Sequence, residues 1–234
     1  MSETPRDSNS GRRPKEARPV KRESAVDDGE IAHDHALIRR AQTGEERAFS
    51  ELVERHQQRA WRVARNLVPT DEDAQDIAQE AFVRVFKSIG SFDFGHAFTT
   101  WLYRIVTNLA IDLLRRRRPA TSTTGVDEDE AGFDIVDTRV AGPSDALESR
   151  ELSAEVRATL SGLAPHFQSV LVLREMEGLA CTEIAKIVGA THVTVRWRLH
   201  RGRKLFQEEW ERRARLRETG GDRLGADTGG GNES

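Results

Sequence analysis

The chain has 234 residues, 37% of them hydrophobic and 32% charged, with a formal net charge of −3. That length holds one or two domains, and the balance permits small cores while excluding a uniformly basic nucleic-acid coat. A single cysteine, Cys181, excludes an intrachain disulfide and a multi-cysteine zinc site and fits a reducing cytoplasm.

No apolar run approaches the roughly 20 residues that span a bilayer, and the N-terminus lacks the apolar core of a signal peptide. A cytoplasmic protein without membrane insertion is expected. Residues 1–30 are rich in Ser, Pro and charge, show no apolar periodicity and read as a disordered tail. The basic segment Arg12 to Arg22 within it can touch nucleic acid or simply be solvated.

From 31 to 118, apolar residues recur at helical spacing. Leu37, Ile38 and Ala41, then Phe49, Leu52 and Val53, mark a first pair of helices, the second of which runs through Trp61, Val63 and Leu67 to Pro69. His33 and His35 lie two apart at the start of this block and read as solvent-facing residues, not as metal ligands. A third helix begins in DEDAQDIAQE, which holds five acids and no base. Ile77, Ala81 and Val85 can turn inward there, while Asp76, Gln79, Glu80 and Val83 lie close together. Acids in a first turn suit the helix dipole, and a polar face with apolar residues interleaved also suits a partner. The fourth helix, FTTWLYRIVTNLAIDLLRRRR, carries Leu102, Ile105, Leu109 and Leu113 as an expected core stripe. Trp101, Arg104, Asn108, Asp112 and Arg115 run along another face. Arginines bind phosphates, a tryptophan stacks on an exposed base, and an asparagine hydrogen-bonds a base edge. Partial burial of Trp101, and a cationic helix end for Arg115 to Arg118, are the structural alternatives.

Residues 119–146 change character: between Pro119 and Leu147 stand seven acids and one arginine, a flexible acidic linker. A second helical block follows from 147 to 215. One amphipathic helix is expected over Ser149 to Leu163, and Pro165 suits the first turn of the next. GLACTEIAKIVGATHVTVRWRLHRGRKLF has the form of a helix-turn-helix. Ile184, Ala185 and Val188 line the first helix, Gly189 breaks it, and Thr191 caps the second. Val195, Leu199 and Gly202 point inward, while Arg196, Trp197, His200, Arg201, Arg203 and Lys204 face out. Ala180 stands where a Ser or Thr cap is expected, with Thr182 as substitute. Residues 216–234 read as a second loose tail. The fold class is all-α: two small helical domains on a flexible joint.

Together these motifs resemble the sigma-70 family of bacterial RNA polymerase sigma factors, in its extracytoplasmic-function (ECF) subgroup, which has only sigma domains 2 and 4. DAQDIAQEAFVRVF is similar to the family's core-polymerase-binding helix. FTTWLYRIVTNLAIDLLRRRR resembles its promoter-melting and −10-reading helix, and the helix-turn-helix resembles its −35 reader. The resemblance implies that Asp73, Asp76, Gln79, Glu80 and Phe82 lie on or support the face meeting core RNA polymerase, whose beta and beta-prime subunits are the expected partners. It implies −10 DNA contacts by Trp101, Arg104, Asn108 and Arg115. Asn108 matches the position that holds a flipped −10 base, and Asp93 to Ala97 matches the loop forming its pocket. Contacts to −35 DNA fall to Arg196, Trp197, His200 and Arg201. Trp197 departs from the family, which usually has a small Ser there. Promoter DNA and an anti-sigma factor are the remaining implied partners, with no cofactor and no metal.

The alternative reading is a helix-turn-helix repressor or activator that acts without core polymerase. An enzyme is not expected, because the chain shows no paired metal-ligand spacing, Gly-rich phosphate loop or nucleophile motif.

Overall fold

The computed structural model describes residues 28–117 and 146–224, with side chains for 28–117 and 151–217. The N-terminal and C-terminal segments and the acidic linker expected above therefore fall largely outside the described residues. Every regular element among those described is helical.

The first domain is built from α1 (Asp28–Gln42), α2 (Glu46–Leu67), α3 (Asp71–Ser88), a 3-10 turn (Ile89–Ser91) and α4 (Phe98–Arg117). Helix α1 begins at Asp28, inside the segment read from sequence as a tail, and Glu30 within it meets Arg59 of α2 at 3.4 Å. Gly44 takes φ 91° in the turn to α2, a conformation that favours glycine. Val68 leaves α2 in an extended conformation, as the residue before a proline prefers. Thr70 caps α3 by accepting from the Asp73 amide at 3.1 Å, and three acids in the first turn face the positive end of the dipole.

The core of this domain is a cluster including Leu37, Ile38, Leu52, Val63, Ala81, Val85, Phe98, Leu102 and Val106. Truncating a fully buried leucine such as Leu102 to alanine costs about 2–5 kcal/mol in sites of this kind. The expected α4 stripe needs correction. Leu102 is buried, but Ile105, Leu109 and Leu113 are only partly so, while Phe98, Thr99, Tyr103, Val106, Thr107 and Ala110 are buried instead. The reason is that α4 is covered from two sides, by α2 and α3 and also by the Cys181–Val188 helix of the second domain.

A charged group also sits in this core. Asp34 and His56 are buried, with His56 Nε2 2.9 Å from Asp34 Oδ2 and Arg55 donating to Oδ1 at 3.2 Å. Burial pushes the Asp34 carboxyl up, but the hydrogen bonds and charges of His56 and Arg55 more than offset it and hold it below the usual range. The His56 ring meets Phe98 edge-on at 4.9 Å, so one cluster ties α1, α2 and α4 together.

The second domain comprises α5 (Ala146–Ser161), α6 (Pro165–Leu171), a π-helical turn (Val172–Met176), α7 (Cys181–Val188) and α8 (His192–Leu224). Pro165 occupies the first turn of α6. Gly189 ends α7 at φ 65°, and Thr191 Oγ1 accepts from the Thr194 amide at 3.1 Å to start α8. At Ala180 the missing cap is replaced by Glu183, not Thr182: its carboxylate reaches back to the Ala180 amide at 2.8 Å. Val195, Leu199 and Gly202 face inward. A Cβ at Gly202 would stand 3.3 Å from Leu171, so glycine lets α8 settle against α6.

The two domains pack on each other, which no local pattern in the sequence foretold. Gln168 Nε2 donates to the carbonyls of Asn66 and Leu67 at the end of α2, at 3.0 and 3.2 Å. Glu177 accepts from Tyr103 Oη at 2.8 Å and from Arg62 Nε at 3.1 Å. Burial, reinforced by the Glu177 charge, pushes the Tyr103 hydroxyl well above its ordinary range.

Candidate nucleic-acid and polymerase-binding faces

Helix α3 buries Ala74, Ile77, Ala78, Ala81, Phe82 and Val85 and exposes the opposite side. Asp76, Gln79 and Glu80 are exposed there, joined by Val83 and by Phe86, which is 61% exposed. These positions share one face at helical spacing. Phe82 lies inside the core and supports this face from beneath. Asp73 is 12% exposed in its side chain and is held by Arg117, at 2.6 and 2.8 Å. The Arg117 hydrogen bond, with that of Thr70, keeps the Asp73 carboxyl below the usual range. Phe86 escaped the sequence reading because an apolar residue near a helix end looks like core; the structure sets its ring at 5.1 Å, edge-on, from Phe49 on the surface. With Val83, 44% exposed, it gives this face an apolar part.

Helix α4 presents Arg104, Asn108, Asp112 and Arg115 as one exposed row opposite its buried stripe. No partner holds Arg104, Asn108 or Arg115 among the described residues. Trp101, at the head of the row, is half-buried against Phe92 and Phe98, with ring centroids at 5.2 and 6.1 Å. The loop before α4 is closed on itself: Asp93 Oδ1 accepts from the Gly95 amide at 2.8 Å, and Asp93 O from the His96 amide at 3.2 Å. His35 is half-buried rather than fully solvent-facing. It lies 2.9 Å from the His96 carbonyl, and His33 pairs with Glu51 at 3.0 Å.

On α8, Arg196, His200 and Arg201 are exposed, as is Lys204. Trp197 is half-buried, with its ring 5.7 Å from Phe167 of α6, so the indole stands on a fixed support. Arg203 is committed to Glu175, at 2.7 and 3.0 Å. Arg198 is half-buried on the same helix, and desolvation pulls its guanidinium below its ordinary range. Among the described residues, no group of three or more His, Cys, Asp or Glu is placed to hold a metal ion, and no helix is long and apolar enough to cross a membrane.

Comparison with known proteins matches two regions of the chain. The family model for Sigma-70 region 2 matches residues 52–120, which hold α3, the loop and α4. The model for Sigma-70, region 4 matches residues 153–206, which hold the helix-turn-helix. The ECF RNA polymerase sigma factor SigW of Bacillus subtilis (strain 168) is 33% identical over 175 residues, 74% of this chain and 94% of that protein. The ECF RNA polymerase sigma-E factor of Escherichia coli (strain K12) is 33% identical over 179 residues, 75% of this chain and 93% of that one. Among solved structures, CnrH in complex with the cytosolic domain of CnrY superimposes with a TM-score of 0.57 at 27% identity, covering 75% of this chain and 96% of CnrH. The chain belongs to the ECF subgroup of the sigma-70 family, sigma factors that direct transcription initiation by RNA polymerase.

Proposed function

We propose that the chain binds core RNA polymerase, through the beta and beta-prime subunits, with the α3 face of Asp76, Gln79 and Glu80. Val83 and Phe86 supply the apolar part of that face, and Asp73 and Phe82 support it. Arg196, Trp197, His200 and Arg201 read −35 DNA as duplex. Trp101, Arg104, Asn108 and Arg115, with the loop 93–97, take the −10 element as melted single strand. Taking a base out of its stack costs a few kcal/mol, which a pocket with an asparagine and a closed loop is suited to recover.

The observation that carries this reading is the orientation of the two matched regions. In each, the exposed row of arginines with Asn108 or His200 lies opposite the buried stripe, so the basic groups are free for DNA. CnrH is seen with the cytosolic domain of CnrY, and we extend to this chain an anti-sigma factor as a further partner. In this reading the chain catalyses nothing itself and works in the cytoplasm, where polymerase is.

Run-off transcription with purified core polymerase on genomic fragments tests the proposal. Discrete transcripts that require both the chain and core polymerase are expected. Binding to promoter fragments unaided, with no core-dependent transcript, would instead support a repressor or activator.

A further inference from the structure

We propose that His35, Arg39 and Gln42 of α1 form a mould that fixes the shape of the −10 base-capture loop, making them positioning residues for −10 recognition. The proposal rests on the reading of loop 93–97 as that pocket.

The three residues fall at i, i+4 and i+7, so they share one face of α1. Each grips the segment leading into α4 at a different point. Gln42 Nε2 donates to the Ile89 carbonyl at 2.8 Å, at the first residue of the 3-10 turn. The Arg39 guanidinium lies 4.6 Å from the centroid of the Phe94 ring, a cation–π contact in the middle of the loop. His35 Nε2 lies 2.9 Å from the His96 carbonyl near the loop's end. A carbonyl only accepts, so His35 carries a proton on Nε2 in this contact.

The His35 ring also stands edge-on to Phe92 and Phe94, with centroids at 5.6 and 5.2 Å. Phe92 meets Phe94 at 5.1 Å and Trp101 at 5.2 Å. A continuous set of rings therefore runs from α1 through the loop to the head of the α4 row that bears Asn108. A recognition site must be held to about 0.5 Å by groups that are themselves fixed, and short loops seldom achieve this alone. Helix α1 lies outside the residues matched by either family model, so neither model assigns it this task.

The test uses holoenzyme assembled from the full chain and core polymerase, on a promoter obtained by run-off transcription. Open-complex formation is measured on templates carrying each base in turn at every −10 and −35 position. His35→Ala should lower the preference at one or two adjacent −10 positions at least fivefold, with −35 preferences and affinity for core polymerase unchanged. Arg39→Ala should weaken the same positions. His35→Gln, which keeps an N–H donor toward the His96 carbonyl, should restore the preference. Wild-type preferences in both alanine variants would overturn the proposal. So would an even loss across both elements, which assigns the stripe to general stability, while His35→Gln behaving as His35→Ala would overturn the part given to the His96 carbonyl bond. Asp93→Ala and Asn108→Ala are run alongside. If they shift −10 preference while the α1 variants do not, only the mould fails. If they also do nothing, the reading of the loop as the pocket fails with it.

Discussion

Replacing Glu177 with alanine should loosen the two domains from each other. The Glu177 side chain is 5% exposed and accepts from Tyr103 of α4 and Arg62 of α2, while Arg62 itself is 52% exposed. Without the carboxylate, the buried Tyr103 hydroxyl has no acceptor in the docked state, a penalty of about 1–3 kcal/mol. The half-exposed Arg62 regains water, so its share is at most about 1 kcal/mol. The docked state should thus lose about 1–4 kcal/mol relative to the separated one, a roughly 5- to 800-fold change in their ratio. On the proposed reading, the separated state is the one that can engage both promoter elements. Position −35 lies about 85 Å along the duplex from position −10 at ~3.4 Å per base pair, so on that reading the two DNA-facing rows must reach well apart to engage both. Dyes on Ser50→Cys and Gln207→Cys, in a Cys181→Ser background, would report the two populations by single-molecule energy transfer. Glu177→Gln, which keeps an acceptor for Tyr103, should shift the ratio less. An unchanged distribution in Glu177→Ala would refute the reasoning, showing that these bonds do not hold the domains together.

Arg201→Ala should cost roughly 1–3 kcal/mol in binding to a −35 duplex if its guanidinium pairs with a base edge, and should relax preference at one position. Fluorescence anisotropy on single-base variants of the duplex checks this, and an unaltered preference removes Arg201 from base reading. Phe86→Glu should weaken association with core polymerase tenfold or more while leaving the melting temperature nearly unchanged, because the ring is already exposed; Asp76→Arg should act in the same direction. Equal dissociation constants for the variants and the parent would take this face out of the interface. The Asp34 carboxyl is held below its ordinary range, so its contribution to stability is present above about pH 4, the unfolded value, and is lost as pH falls through the folded one. Thermal unfolding followed from pH 6 downward should show a steeper loss for the parent than for Asp34→Asn. Parallel curves would mean that Asp34 titrates alike in both states.

What could be read without a structure was whatever is written locally. The end of α2 before Pro69, the start of α3, the Gly189 break and the Thr191 cap follow from short-range rules, as do the exposed rows of α4 and α8. The α4 core stripe was misplaced because periodicity marks one apolar face, whereas α7 covers this helix from a second side. Tyr103 and Thr107 are buried there, although neither is a residue that a pattern search assigns to a core. His35 failed for a related reason: its partner, the His96 carbonyl, lies 61 residues away, and no composition rule connects them. Glu177, 74 residues from Tyr103, is the same case across two domains. Phe86 was passed over because apolar character alone does not tell a buried ring from a presented one.

The Asp73 carboxylate has a finite number of lone-pair directions, and its own chain already fills most of them. Both oxygens receive Arg117, and Thr70 Oγ1 adds a third bond at 2.6 Å. Three of its roughly four acceptor directions are therefore taken. The carboxylate that starts α3 thus also fastens the end of α4, so one side chain closes the first domain at both ends.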